Sequence, residues 1–275
     1  MKSDILVVIG VGGIGMAIAK RDGAGKIVLL ADINENNLEI AAKDLEKTGY
    51  KVETQQTDVA SHASVAALAA KAAALGNVLQ VVNTAGLSPN MASVEKLLQV
   101  DLVGAVYVLE AFGQVIARGG AGIHISSMAG HMIPALGAEI DKALMVTPAN
   151  ELMNLSVLQP ANVPNTTYAY CLSKRANHLR IQAECLKWAE RGARVNSISP
   201  GIIMTALAQH ELDSPIGDGY RVMINQSASK RVGTVDEVAT LAHYLLGPDS
   251  GFITGSDFLA DGGVIAAMKM GRIAF

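Results

Sequence analysis

Short apolar runs alternate along the chain with longer stretches whose apolar positions recur every three to four residues. The runs at 4–9 (DILVVI), 26–31 (KIVLLA), 51–56, 78–83 (VLQVVN), 121–126 (AGIHIS), 193–198 (ARVNSI) and 256–260 (SDFLA) predict seven strands. Most are short and β-branched, as suits strands covered on both faces. The stretches 13–22, 35–48, 61–75, 100–118, 167–191 and 234–246 predict helices, with Asp58 and Ser61 as start signals for the third. Strict alternation of the two kinds predicts an α/β fold: a doubly wound parallel sheet, Rossmann-like, with helices on both faces. No repeat, low-complexity tract or linker divides the chain, so 1–275 reads as a single domain.

Residues 131–166 (HMIPALGAEIDKALMVTPANELMNLSVLQPANVPN) break this rhythm, being far longer than an ordinary connection. They carry helical patches at about 136–146 and 148–158, separated by Thr147-Pro148, with mostly Leu and Met as apolar residues. A helical insertion beyond a strand end is a candidate substrate lid; the alternative is extra packing or a subunit contact. Residues 206–230, with Leu207, Tyr220 and Met223, read as a second wall.

Composition narrows the choices. Half the 275 residues are hydrophobic and 17% charged, enough for a large core. A net charge of -3 gives no electrostatic reason to expect nucleic acid or an anionic membrane. Nor is there a run of about 20 unbroken apolar residues to suggest a membrane span. The two cysteines, Cys171 and Cys185, fall on one predicted helix about 21 Å apart, too far for a disulfide. Two free thiols lead us to expect a cytoplasmic protein. The six histidines form no HxxH or HxxxH pair and CxxC is absent, so no metal is expected.

The first segment, DILVVIGVGGIGMAIAKRD, admits two readings. Its apolar run and small-residue triplet resemble a secretory signal. The same letters hold Gly10-x-Gly12-x-x-Gly15, a phosphate-binding turn between strand and helix formed with Gly13 and Ile14. Asp4 suits a signal badly, and the rest of the chain favours the turn. The second strand ends at Asp32, where a carboxylate can accept hydrogen bonds from both adenosine ribose hydroxyls and would repel a 2′-phosphate. No Arg nearby offsets it, so NAD is expected over NADP; alone, Asp32 could equally be a helix cap. Asp58, with Val59, and Asn83-Thr-Ala85-Gly86 end the third and fourth strands, where doubly wound sheets bind ligands.

Tyr170-Cys-Leu-Ser-Lys174 places a phenol and an ammonium four residues apart on one helix face. A neighbouring Lys⁺ and an oxidised nicotinamide are expected to lower the phenol from its ordinary pKa near 10 toward neutrality.

Here the chain resembles the short-chain dehydrogenase/reductase family, from Asp4 to about Gly263. Tyr170-x-x-x-Lys174 is preceded by Ser126-Ser127-Met-Ala-Gly130, Asn83-Thr-Ala-Gly86 is similar to the family's NNAG segment, and Pro200-Gly201-Ile-Ile203-Met-Thr205 to its PGxxxT turn. Arg231-Val-Gly-Thr-Val-Asp-Glu-Val-Ala, Ile253-Thr-Gly and Asp261-Gly-Gly263 resemble its C-terminal end. The resemblance implies an oxidoreductase interconverting a secondary alcohol and a ketone. It makes Tyr170 the acid/base, Lys174 the partner that binds the nicotinamide ribose, and Ser127 the donor to the substrate oxygen. Pro200, Gly201, Ile203 and Thr205 would flank the nicotinamide. It also implies a small-molecule substrate and a homo-oligomer, dimer or tetramer. Three departures stand out: the glycine turn is one residue short, Asp101 replaces the usual Asn of a proton relay, and Ser127 and Tyr170 are unusually far apart. The insertion responsible resembles that of bacterial 3α-hydroxysteroid dehydrogenase/carbonyl reductases, so a bulky apolar substrate such as a hydroxysteroid is expected. The alternatives are a 3-oxoacyl or small-carbonyl reductase and a non-catalytic NAD-sensing regulator.

Overall fold

A computed structural model describes residues 2–213 and 217–273, apart from the side chain of Leu207. Seven parallel strands form one sheet in the order β3-β2-β1-β4-β5-β6-β7. They are β1 (Asp4–Ile9), β2 (Ile27–Asp32), β3 (Lys51–Gln56), β4 (Asn77–Asn83), β5 (Ile116–Ile125), β6 (Arg194–Pro200) and β7 (Asp257–Ala260). The central strands are apolar throughout because both faces are covered; edge strand β3 (KVETQQ) is mostly exposed and reads polar. One core cluster joins Ile5, Val7 and Ile9 of β1 to α3 (His62–Leu75), α5 (Ala105–Val115) and α7 (Thr166–Glu190). The other joins Leu6 and Val8 to α1 (Gly13–Asp22), α2 (Glu35–Glu46) and α10 (Val235–Leu246). Strand order reverses between β1 and β4, which opens a crevice at their carboxyl ends. Register sets the Ile9–Ala31 and Ile9–Asn83 pairs level, so the ends of β1, β2 and β4 meet there.

Several boundaries differ from expectation. The predicted helix 100–118 begins earlier, at Val94: α4 (Val94–Leu97) runs through a π-helical segment, Leu98–Gly104, into α5. Residues 116–120 belong to β5, where the pairing slips past Gly119 and Gly120. Val94–Val115 is long and apolar enough by composition to cross a membrane, with 67% of its apolar window buried inside the protein. An unforeseen helix, α11 (Val264–Lys269), follows β7.

The insertion forms one helix, α6 (Ala138–Val146). The second expected patch is instead a pair of 3₁₀ turns, Leu152–Asn154 and Ser156–Leu158. Side-chain amides compete with a helix there: Gln159 Nε2 donates to the Met153 carbonyl at 2.7 Å and Asn162 Nδ2 to the Ser156 carbonyl at 2.8 Å. Leu144, Leu152, Leu158 and Val163 bury themselves against Leu98, Leu102 and Val106 below and Leu172 of α7. Arg180 reinforces this seat by donating to the Met145 carbonyl at 2.8 Å and to the Thr147 carbonyl.

Candidate active site

The turn after β1 closes because Gly10 takes φ +89°, where L side chains are strained; a Cβ there would also lie 2.6 Å from Thr84 Oγ1. Thr84 ties this turn to the end of β4 by donating to the Gly10 carbonyl at 2.8 Å. Gly15 is a packing glycine: its Cβ would meet the Gly10 carbonyl oxygen at 2.1 Å. Gly12 caps α1 without a side chain and faces open space, whereas Gly13 sits beside Val235 and Thr205, with Ile14 next to it on the cleft wall. Gly12 thus leaves room at the helix N-terminus, and Gly13 allows close packing. With Gly12 as its N-cap, α1 has no side-chain cap, so its first amides suit a pyrophosphate. Gly15→Ala is expected to weaken NADH binding at least tenfold, read by cofactor fluorescence, because the added methyl would meet the Gly10 backbone carbonyl and not a flexible side chain.

Asp32 stands beside that turn, with Oδ2 accepting from Val11 N at 3.0 Å and Oδ1 from Asn34 N at 2.9 Å. Asp58 Oδ1 accepts from Ala60 N at 2.9 Å, and Val59 turns its side chain into the core. Asn83 is buried at the end of β4, its side chain accepting from Ala85 N at 3.2 Å and contacting His124 Nδ1 at 3.2 Å, which braces the strand end. Gly86 leaves the approach to Lys174 clear: a Cβ would lie 3.3 Å from Nζ.

Ser127 lies two residues beyond the end of β5 and caps the 3₁₀ turn Met128–His131, its Oγ accepting from Ala129 N at 3.1 Å. Its hydroxyl faces the same cleft as Tyr170 and works to lower the phenol's pKa. Asn165 caps α7, and one turn of that helix separates Tyr170 from Lys174, whose Nζ lies 5.2 Å from the phenol ring centroid. Ser126 Oγ donates to the Lys174 carbonyl at 3.1 Å, locking strand to helix.

Asp101 lies in the π-helical segment, buried, with Oδ1 accepting from Leu87 N at 2.8 Å and Oδ2 3.5 Å from Lys174 Nζ. Its backbone carbonyl accepts from Asn177 Nδ2 at 3.0 Å. Asp101 thus reaches Lys174 directly through its carboxylate. Burial raises the Asp101 pKa even though Lys174 opposes the rise. Burial also works against the Lys174 charge, but Asp101 and Tyr170 outweigh it and hold the ammonium above its usual pKa.

Tyr170 opens partly to the cleft yet is densely surrounded, and that burial raises its pKa; Lys174 pulls down while Asp101 pushes up. Without the nicotinamide, burial outweighs the Lys174 charge, and Asp101 cancels part of that charge.

Pro200 ends β6, Gly201 N donates to the Ala260 carbonyl at 3.0 Å, and Ile203 is buried beside Gly233. Thr205 Oγ1 caps α8 (Ala206–Leu212), accepting from Ala208 N at 3.1 Å. These residues, Ser127, Tyr170 and Lys174 line a cleft of about 470 Å³. Its far walls are Leu87, Met128, Ile202, Tyr220 and Met223, the last two from α9 (Gly217–Gln226). The wall residues Ser88, Pro89 and Glu211 carry no motif and escape sequence reasoning. Of 131–166, only Met132 lines this cleft among the described residues; the rest of the expected lid lies on the α4–α7 face. The Leu207 side chain falls outside the described residues.

A parallel sheet with a phosphate turn at its switch point and a Ser–Tyr–Lys group beside it defines a nicotinamide-dependent oxidoreductase. Residues 4–139 match the short chain dehydrogenase family, and residues 135–265 the family described as Enoyl-(Acyl carrier protein) reductase. The chain is 40% identical to Short-chain dehydrogenase/reductase bsc3 of Alternaria brassicicola, over 98% of each chain. It is 27% identical to 3-alpha-hydroxysteroid dehydrogenase/carbonyl reductase of Comamonas testosteroni over 195 residues, 69% of this chain and 73% of the other. In fold it is similar to a short-chain type dehydrogenase/reductase from Mycobacterium ulcerans, with a TM-score of 0.75 and 23% identity over 97% of this chain and 91% of that one. The chain belongs to the short-chain dehydrogenase/reductase family: it is an oxidoreductase of CH–OH groups that uses NAD(P)(H).

Proposed function

We propose that this enzyme uses NAD to interconvert a bulky, apolar secondary alcohol, such as a hydroxysteroid, with its ketone. The observation that carries the cofactor choice is Asp32, fixed by Val11 N and Asn34 N at the rim of the phosphate turn. A carboxylate there favours ribose hydroxyls and repels a 2′-phosphate. The substrate reading rests on the cleft, where Leu87, Met128, Ile202 and Met223 surround the Ser127–Tyr170 pair. Methionines adapt to irregular apolar shapes, and about 470 Å³ lies within the usual range of about 300–1,000 Å³ for ligand sites.

In this reading Ser127 orients the substrate oxygen, Tyr170 exchanges its proton and Lys174 holds the ribose. The nicotinamide accepts or donates the hydride. Reduction of a 3-oxoacyl thioester is the second reading, favoured by the match of 135–265 to the Enoyl-(Acyl carrier protein) reductase family. The convergence of Ser127, Tyr170 and Lys174 on one cleft argues against a non-catalytic sensor, which needs no acid/base. Two free cysteines support a cytoplasmic setting, and exposed Leu186 and Phe252 support a homo-oligomer.

The test is turnover with NAD⁺ and NADP⁺ across hydroxysteroids, bile acids, aliphatic alcohols and a 3-hydroxyacyl thioester. NAD⁺ should win by at least tenfold in kcat/KM, about 1.4 kcal/mol, and Asp32→Ser should narrow that margin. A wild-type preference for NADP⁺ would refute the Asp32 reading; activity confined to the thioester would replace the substrate.

A further inference from the structure

The fold assembles a group of ligating side chains that no short-range spacing announces. His131 ends the 3₁₀ turn that follows Ser127, His178 lies on α7 one turn beyond Lys174, and Asp257 begins β7. Their ligating atoms all lie within 4.8 Å of one another. His131 Nε2 is 2.8 Å from Asp257 Oδ2, and His178 Nε2 is 3.6 Å from Asp257 Oδ1. The two imidazole rings stand 4.6 Å apart between centroids. None of the three lines the cleft described above.

We propose that His131, His178 and Asp257 form a binding site for a divalent transition metal of the zinc type. Two imidazoles and one carboxylate select Zn²⁺ or Co²⁺ over Mg²⁺ and Ca²⁺, which take oxygen ligands. Tetrahedral zinc with bonds of about 2.0–2.2 Å requires donors roughly 3.3 Å apart. The separations to the two Asp257 oxygens, 2.8 and 3.6 Å, fall either side of that value, and with all the ligating atoms within 4.8 Å of one another side-chain rotation brings the three donors to it. Ser199 Oγ, 2.8 Å from His178 Nε2, or a water completes the coordination.

The surroundings meet the chemical demands of a ligand set. Ser197 Oγ and Ser199 Oγ donate to Asp257 Oδ1 at 2.6 and 2.9 Å, which orients the carboxylate and presents Oδ2 toward His131. Both rings coordinate through Nε2 and keep their proton on Nδ1, so a neutral imidazole only changes tautomer. The absence of a side chain at Gly130 permits this approach, since a Cβ would lie 2.4 Å from His178 Cε1. The His131 side chain is 27% exposed, which gives the ion a route in.

Such an ion would clamp the serine turn to α7 and β7. Its role is positional, because the triad touches neither Tyr170 nor the cleft.

The test uses the full chain, stripped with a chelator and titrated with CoCl₂, ZnCl₂ or MgCl₂. Cobalt should bind at one equivalent per chain and give the visible absorption of a four-coordinate ion. Zinc should raise the thermal midpoint and magnesium should not. His178→Ala and His131→Gln should each weaken cobalt binding at least tenfold while NADH still binds. Glutamine retains an N–H donor for Asp257, so His131→Gln carries the test if His178→Ala fails to fold. Absence of saturable cobalt binding would overturn the proposal and leave the triad a hydrogen-bonded clip. Binding undiminished in His131→Gln would overturn it too, by placing the ion elsewhere.

Discussion

Tyr170→Phe is expected to lower kcat by about 10²–10⁴-fold while NADH binds with nearly unchanged affinity. Phenylalanine keeps the ring against Lys174, 5.2 Å from Nζ, and removes only the hydroxyl. The lost group is the one that exchanges a proton with the substrate oxygen, so the effect falls on the chemical step and not on cofactor binding. Direction of reaction gives a further signature. Burial raises the phenol above its ordinary pKa and Asp101 adds to the rise, so the protein alone leaves Tyr170 protonated at neutral pH. Alcohol oxidation, which needs the phenolate, should therefore speed up toward alkaline pH, and ketone reduction, which needs the phenol, should not. Tyr170→Phe should erase that alkaline rise. Steady-state rates in both directions across pH, with fluorescence titration of NADH, check this; retained turnover would remove Tyr170 from the mechanism.

How much of this was legible beforehand depended on the range of the interaction. Strands such as ILVVI and KIVLL declare themselves because both faces are buried, and Gly10, Gly15 and Asp32 because a strand-to-helix turn demands them locally. Tyr170 and Lys174 are legible because helical spacing puts them together. Other features depend on distant partners. Asn83 shows its contact with His124 only once the two strands are placed. The insertion reads as a lid because its apolar residues carry no address, and only the folded chain shows Leu144 and Leu152 seated against α4–α7. The stretch 148–158 has helical periodicity, but Gln159 and Asn162 take its carbonyls. His131, His178 and Asp257 share no spacing pattern because three separate elements deliver them.

Asp101 poses the sharpest departure from the family pattern, and Lys174→Met exposes what it does. Methionine preserves the apolar stem and deletes the charge. Asp101 is then left buried with Leu87 N as its hydrogen-bond donor and without the ammonium 3.5 Å away. Breaking a buried pair from one side costs about 3–5 kcal/mol when the remaining charge stays ionised. The variant can escape that cost only by protonating Asp101, whose pKa burial already holds above the ordinary carboxylate value. With Lys174 gone it rises further. A carboxyl whose folded pKa exceeds its unfolded value takes up a proton on folding. Its stabilising contribution is complete below about pH 3.9 and disappears as pH climbs through the raised folded pKa. Lys174→Met should therefore approach wild-type stability in acid and fall behind it as pH rises. At pH 8 a deficit of about 3 kcal/mol corresponds to roughly 5 °C in Tm for a chain of this size. Adding Asp101→Asn should recover most of that deficit and flatten the pH dependence, without restoring turnover. Melting curves of the wild type, the single variant and the double variant between pH 5 and 8 decide the point. A deficit that is equal at every pH, or that persists in the double variant, would mean that Lys174 supports the fold through packing and that Asp101 remains protonated whether or not the ammonium faces it.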